Sequence, residues 1–253
     1  MNARDALAGY PSYRGLPPLA GLATIEEAAR PGLSVEACVA RLKRYHFAFR
    51  RLHEVFTARI TAEPIYELKT TFSHHAYLCA EHVQALRDRV GEMREPPLGL
   101  EAVPHPALDV VFDEIRAAPT TAALLVGLYE TALPALAAAL DRHRADTNPL
   151  VDAPSVRVCR FAGIEVADMI AFGRRAIACL VDEETRQVLG PWRALLDEGL
   201  AAAGGLDGAG EPSGREVGRR DSLQPYEYDP IPRRDERFED LYNQGVNAEA
   251  FLY

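Results

Sequence analysis

The chain has only four cysteines in 253 residues, and no two of them form a Cys-x-x-Cys pair. A disulfide framework or a zinc ribbon is therefore not expected. Cys38, Cys79, Cys159 and Cys179 each fall on or beside an apolar helical face, where a free thiol behaves as a small hydrophobe. Basic residues are also in the minority. Lys and Arg number 28 against 37 Asp and Glu, for a net charge of -9 and a pI near 5.3. Domains that grip nucleic acid by neutralising phosphates are usually basic, so no nucleic-acid partner is expected. An apolar signal-peptide core is lacking, because "MNARDALAGYPSYRGLPPLAG" mixes charge with Pro and Gly. The most apolar run, "TTAALLVGLYETALPALAAAL", is broken by Glu130 and Pro134 and reads as a core helix rather than a membrane span. A cytoplasmic protein with no membrane partner is expected. No run alternates in the manner of a strand, and no repeat of solenoid length is visible.

What remains is helix. Ser34 is a plausible N-cap, and after it Cys38, Leu42, Tyr45, Phe49, Leu52, Phe56 and Ile60 recur at spacings of four and three. Pro64 suits the first turn of a second helix, from about Tyr66 to the prolines of "REPPLGLEAVPHP". A long connection with a short helix in "ALDVVFDEIRAA" follows. Thr120 or Thr121 then caps a third helix running to about His143, which Pro134 should kink or locally open. A fourth starts near Pro154 or Ser155 and runs through "LVDEE", and a further one covers "TRQVLGPWRALLDEGLAAA". The expected organisation is an irregular leader over 1–33, a helical bundle over 34–203 and a flexible Gly-rich linker over 204–222. An aromatic tail over 223–253 would pack on the bundle or bind a partner subunit, as in a homodimer.

Polar residues stand where apolar ones should be. In the second helix His75, Cys79 and His82 lie on the apolar stripe with Leu68, Phe72 and Leu86, beside a line of Glu67, His74 and Glu81. In the first, His46 and His53 share a line with Leu42, Phe49 and Phe56. In the third, Glu130 aligns with Val126, Leu133 and Leu140. In the fourth, Glu165 aligns with Val158, Ala162, Met169 and Phe172, and Asp168 is one turn on. A buried carboxylate is costly unless it is paired, protonated or bound to metal. Each residue taken singly also fits a structural role: a core histidine bonded to a carbonyl, or a carboxylate on a solvated flank. Taken together, they place oxygen and nitrogen donors from several helices toward one axis, which is how bundle metal sites are built.

On these positions, and on a short–long–short loop pattern from Ser34 to about Glu184, the chain resembles the ferritin-like superfamily of di-iron and di-manganese carboxylate proteins. The resemblance implies an all-α, ferritin-like four-helix bundle. It implies iron or manganese, in a mononuclear or an asymmetric dinuclear centre, held by Glu67, His75, His82, Glu130 and Glu165, with Asp168 behind them or as a sixth donor. It also implies a metal-dependent oxidoreductase or oxygenase acting on a small-molecule substrate. The pattern is incomplete: Glu165-x-x-Asp168 stands where Glu-x-x-His is usual, and no histidine lies on the fourth helix. The alternative is a non-catalytic helical scaffold or partner-binding protein with a degenerate metal site. Some ferritin-like hydroxylases act on transfer RNA, a reading that the acidic balance opposes.

Overall fold

A computed structural model describes residues 10–93 and 99–238. Among the described residues every regular element is helical, as the apolar periodicity predicts. Two single 3-10 turns lead into α1 (Ile25–Ala29), α2 (Val35–Ala62) and α3 (Tyr66–Glu92). α4 (Pro106–Arg116) and α5 (Thr121–Val126) follow, and a π-helical turn, Gly127–Ala132, joins α5 to α6 (Leu133–Asp146). α7 (Ala153–Leu180) and α8 (Glu183–Ala202) complete the set. The helix starts follow local chemistry. The Ser34 hydroxyl accepts from the Ala37 N–H at 3.2 Å, and the Thr120 hydroxyl from the Ala123 N–H at 3.1 Å. The fourth predicted helix ends earlier than its sequence suggests. Asp182 accepts from the Thr185 N–H at 2.8 Å and so opens α8, while Pro191 sits inside α8 without ending it.

Four long rods form the core: α2, α3, the continuous α5–α6 rod and α7. α2 lies along α3, α6 along α7, α3 against α7 and α2 against α6. The short connections at residues 63–65 and 147–152 make α2/α3 and α6/α7 antiparallel neighbours, and the long one carries α4 across the outside. Leu42, Tyr45, Phe49, Leu52 and Phe56 of α2 are fully buried, which is the stripe that the four-three spacing predicts. The rod Thr121–Asp146 is apolar and long enough to cross a membrane by composition, yet 72% of its most apolar window is buried inside the protein.

The Gly-rich segment expected as a flexible linker is fastened at both ends. The Arg44 guanidinium donates to the carbonyls of Ala203, Gly205 and Leu206 at 2.7–2.9 Å, which satisfies the open C-terminus of α8. At the far end the fully buried Glu114 carboxylate accepts from the N–H groups of Arg220, Asp221 and Ser222 at 2.7–3.0 Å. It also accepts from the Ser222 hydroxyl at 2.6 Å and the Trp192 indole at 3.2 Å. Burial pushes this carboxyl up, but the Ser222 hydroxyl and the three backbone donors outweigh it and hold it below the usual carboxylate range. From there the chain runs extended along the α2–α3 hairpin. The Tyr226 hydroxyl donates to the Ala58 carbonyl at 3.2 Å, and the Arg233 N–H to the Thr61 carbonyl at 2.8 Å. The tail expectation for residues 239–253 lies outside the described residues.

Glu114→Ala strands three backbone donors and an indole in a buried site, each worth about 1–3 kcal/mol when unsatisfied. Urea unfolding should show a loss of at least ~3 kcal/mol, with limited proteolysis newly cutting residues 204–238. Glu114→Gln, which keeps an acceptor, should lose less. Equal stability of Glu114→Ala and the unmodified chain contradicts the anchoring role.

Candidate functional site

α3 and α7 run antiparallel, and a cleft between them holds His74, His75, Glu165 and Asp168 of the polar residues that the sequence singles out. Thr70, Thr71, His74 and His75 of α3 face Glu165 and Asp168 of α7 across a cleft of about 500 Å³. Phe172 forms one wall and is shared with a second, larger pocket of about 1000 Å³ toward the start of α3. That pocket is walled by Ile65, Leu68, Ala176 and Leu180, and its rim is formed by the C-terminal segment Arg234–Arg237. The two pockets meet at Phe172, the smaller one mostly polar and the larger one mostly apolar, with Glu67 and Arg175 also on its lining.

His75 is the best-defined group in it. Its ring is buried, and Nδ1 stands 2.9 Å from the Tyr129 hydroxyl. Phe56, Tyr129 and Phe172 box it edge-on at centroid distances of 5.3–5.8 Å. Burial, with the neighbouring His74 adding to it, pushes the His75 imidazole down to about 4. The Tyr129 phenol is driven well above its ordinary value by burial and stays protonated. His75 is thus a neutral imidazole at neutral pH, held from behind by a phenol. The close approach depends on a glycine: a Cβ at Gly173 would meet the Tyr129 side chain at 2.1 Å.

The six residues expected to hold metal are not gathered into one centre. His82 Nε2 lies 2.6 Å from Glu165 Oε2, but off the line of a hydrogen bond, and burial pushes His82 down despite that carboxylate. His75, Glu165 and Asp168 share the cleft, and Asp168 has no hydrogen bond or ion pair among the described residues. Glu67 lines the larger pocket instead, and Glu130 is turned toward α8. Glu67 is exposed, 15 residues or roughly 22 Å along α3 from His82, and is held by the Arg237 guanidinium through both oxygens. Its pKa is lowered chiefly by that pairing. Glu130 is gripped by Arg186 at 3.0 and 3.1 Å and by Arg193 at 3.3 Å, both from α8. The π turn explains the miss. Pro134 has no N–H to offer the Glu130 carbonyl, the hydrogen bonding widens, and the faces before and after the turn fall out of helical register. Sidedness extrapolated from Val126 and Leu133 therefore places Glu130 wrongly.

His46 is fully buried with neither nitrogen hydrogen-bonded, while His53 Nδ1 contacts the Ala76 carbonyl at 2.9 Å. A different set comes together where the sequence offers no pattern. Cys38, His143 and Asp152, all buried, are the one group of three potential ligands among the described residues whose donor atoms lie within 4.8 Å of one another. The three sit at three helix ends, more than a hundred residues apart at the extremes, and no spacing rule connects them.

Fold and cleft define a chain of the all-α class with an interhelical groove. No family model, no curated protein and no solved structure matches it.

The buried imidazoles set an acid limit. His46 is also pushed down to about 4, by burial first and then by Arg87 and Arg50. Unfolded, both histidines take up protons near pH 6.5. Between about 6.5 and 4 the unfolded state binds more protons, so stability must fall as pH drops through that window. His46→Phe removes one such group and leaves no unpaired polar atom. Its melting temperature should stay near that of the unmodified chain at pH 7.5 and fall less steeply toward pH 4. Parallel melting curves for the two chains across that range contradict the assignment.

Proposed function

We propose that the four rods form a bundle of ferritin-like connectivity whose function is to bind an amphipathic small molecule in the α3–α7 groove. The observation that carries this reading is the sharing of Phe172 by an apolar pocket and a polar cleft. The apolar body lies against Leu68, Ala176 and Leu180, and the head reaches Glu165, Asp168 and His75. Ligand sites of this kind pair a mostly apolar wall with a few placed polar groups. The head is best an amine, because the cleft is lined by two carboxylates and two histidines and by no lysine or arginine.

The iron or manganese reading requires Glu67 and Glu130 in the same shell as His75, His82, Glu165 and Asp168. Three guanidinium groups hold those glutamates apart from the rest, so the six donors do not fit such a centre. The placement sits closer to the alternative, a bundle with a degenerate metal site, to which the groove adds a binding role.

Ligand-observed NMR with primary alkylamines of increasing length tests the reading. Affinity should rise about fourfold per methylene while the apolar pocket fills. It should exceed that of alkanoates of equal length, fall in Asp168→Asn, and vanish in Ala176→Trp, which fills the apolar half. Alkanoates binding as well as amines, or amine binding untouched by Ala176→Trp, would sink it.

A further inference from the structure

At the opposite end of α3 from the apolar pocket, three helix ends meet over the Cys38, His143 and Asp152 cluster. Cys38 lies in the first turn of α2, His143 in the last turn of α6, and Asp152 caps α7. Cys38 is 3% exposed, His143 fully buried and Asp152 7% exposed. The Cys38 thiol donates to Asp152 Oδ2 at 3.5 Å, and His143 Nε2 stands 3.4 Å from the same oxygen. Two further groups hold the carboxylate: the Thr147 hydroxyl donates to Oδ2 at 2.8 Å, and Arg89 donates to Oδ1 at 3.0 Å. Arg89 also donates to Ser155 at 2.8 Å, and the Tyr45 ring packs edge-on to His143 at 5.7 Å.

His143 is the anomaly. Its ring is wholly enclosed, Nδ1 has no hydrogen bond, and Nε2 has only the long 3.4 Å contact to Asp152. Buried polar atoms are nearly always paired, and leaving one unpaired costs about 1–3 kcal/mol. The nearest group to Nε2 is the Asp152 carboxylate at 3.4 Å, longer than a good hydrogen bond, with the Cys38 thiol beside it. Two of the three donor–donor distances are those of a coordination tetrahedron, and the third is within 4.8 Å. Bond lengths of about 2.3 Å to sulfur and about 2.0–2.1 Å to oxygen and nitrogen give tetrahedral edges of about 3.5 Å for S···O and about 3.3 Å for N···O. The observed 3.5 and 3.4 Å match both.

We propose that Cys38, His143 and Asp152 form a three-ligand zinc(II) site, completed by a water molecule, that clamps the ends of α2, α6 and α7. One thiolate, one carboxylate and one neutral imidazole suit a borderline-soft, tetrahedral divalent ion and balance its charge. Arg89 then stays on the outer carboxylate oxygen and orients it. Binding forms a Zn–S bond and releases the thiol proton to solvent, so affinity weakens in acid. Thr147 gives up its hydrogen bond to Oδ2 and stands beside the fourth position. The site shares no residue with the α3–α7 groove, so its fate is separate from the proposed ligand binding.

The test is zinc content of the full chain, expressed with zinc and dialysed against a weak chelator. The expected result is about one ion per chain, reduced at least tenfold in Cys38→Ser and in His143→Gln and unchanged in Cys79→Ser, whose buried thiol lies elsewhere. Less than about a tenth of an ion on the unmodified chain, or full occupancy in both ligand variants, overturns the proposal. If either ligand variant loses its helical circular dichroism, cobalt(II) loading of the Cys179→Ser chain decides. That background removes the exposed thiol. A thiolate-to-cobalt charge-transfer band supports the site, and its absence overturns it.

Discussion

Glu114 is a charge with no route to water, and the outer architecture follows from how it is satisfied. A buried carboxylate is tolerated only where donors converge on it. α4 supplies the carboxylate, α8 supplies the Trp192 indole, and residues 220–222 wrap their backbone N–H groups around what remains. The adjacent Asp113 strengthens the same junction, accepting from Arg219 at 2.8 Å and pairing with Arg51 and Arg116. Once residues 219–222 are fixed, the following segment has one course, along the α2–α3 hairpin. It brings Asp235 to the Tyr66 N–H at 2.8 Å and Arg237 to Glu67. Residues 234–237, which line the apolar pocket, are held in turn by their own contacts to α3.

The same economy of charge explains why the bundle interior does not present a ring of acids. Glu67 and Glu130 have a cation from an element added outside the four rods, whereas Glu165 and Asp168 line the cleft. Arg186 and Arg193 of α8 take Glu130, and Arg237 of the tail takes Glu67. Exposed pairs of this kind contribute little stability each, about 0–1 kcal/mol. Their effect is to fix side-chain direction, and it leaves Glu165 and Asp168 as the acids that face open space between α3 and α7.

Much of this was legible in the residues. The four-three spacing of α2 and α3 located the buried stripes, and it correctly placed His75 and His82 among buried residues. Ser34 and Thr120 marked helix starts because an N-cap is a local interaction. The failures have local and non-local causes. Glu130 was misplaced because one π turn before Pro134 breaks the periodicity on which sidedness rests. Glu67 and Arg237 are 170 residues apart, and nothing local announces their pairing. The end of α7 depended on Asp182 capturing a backbone N–H, a stronger local event than the Gly190-Pro191 pair that looks like a breaker. Cys38, His143 and Asp152 were unreadable as a set because only the antiparallel packing of two hairpins joins their helix ends.

The central claim is that Glu67 and Glu130 are arginine anchors rather than ligands of a shared centre. Anaerobic loading of the full chain with iron(II), followed by metal analysis, tests it most directly when run beside Glu67→Ala and Glu130→Ala. The account predicts the same iron content in all three chains, with any change confined to stability. Iron bound by the unmodified chain and lost from both variants would contradict it.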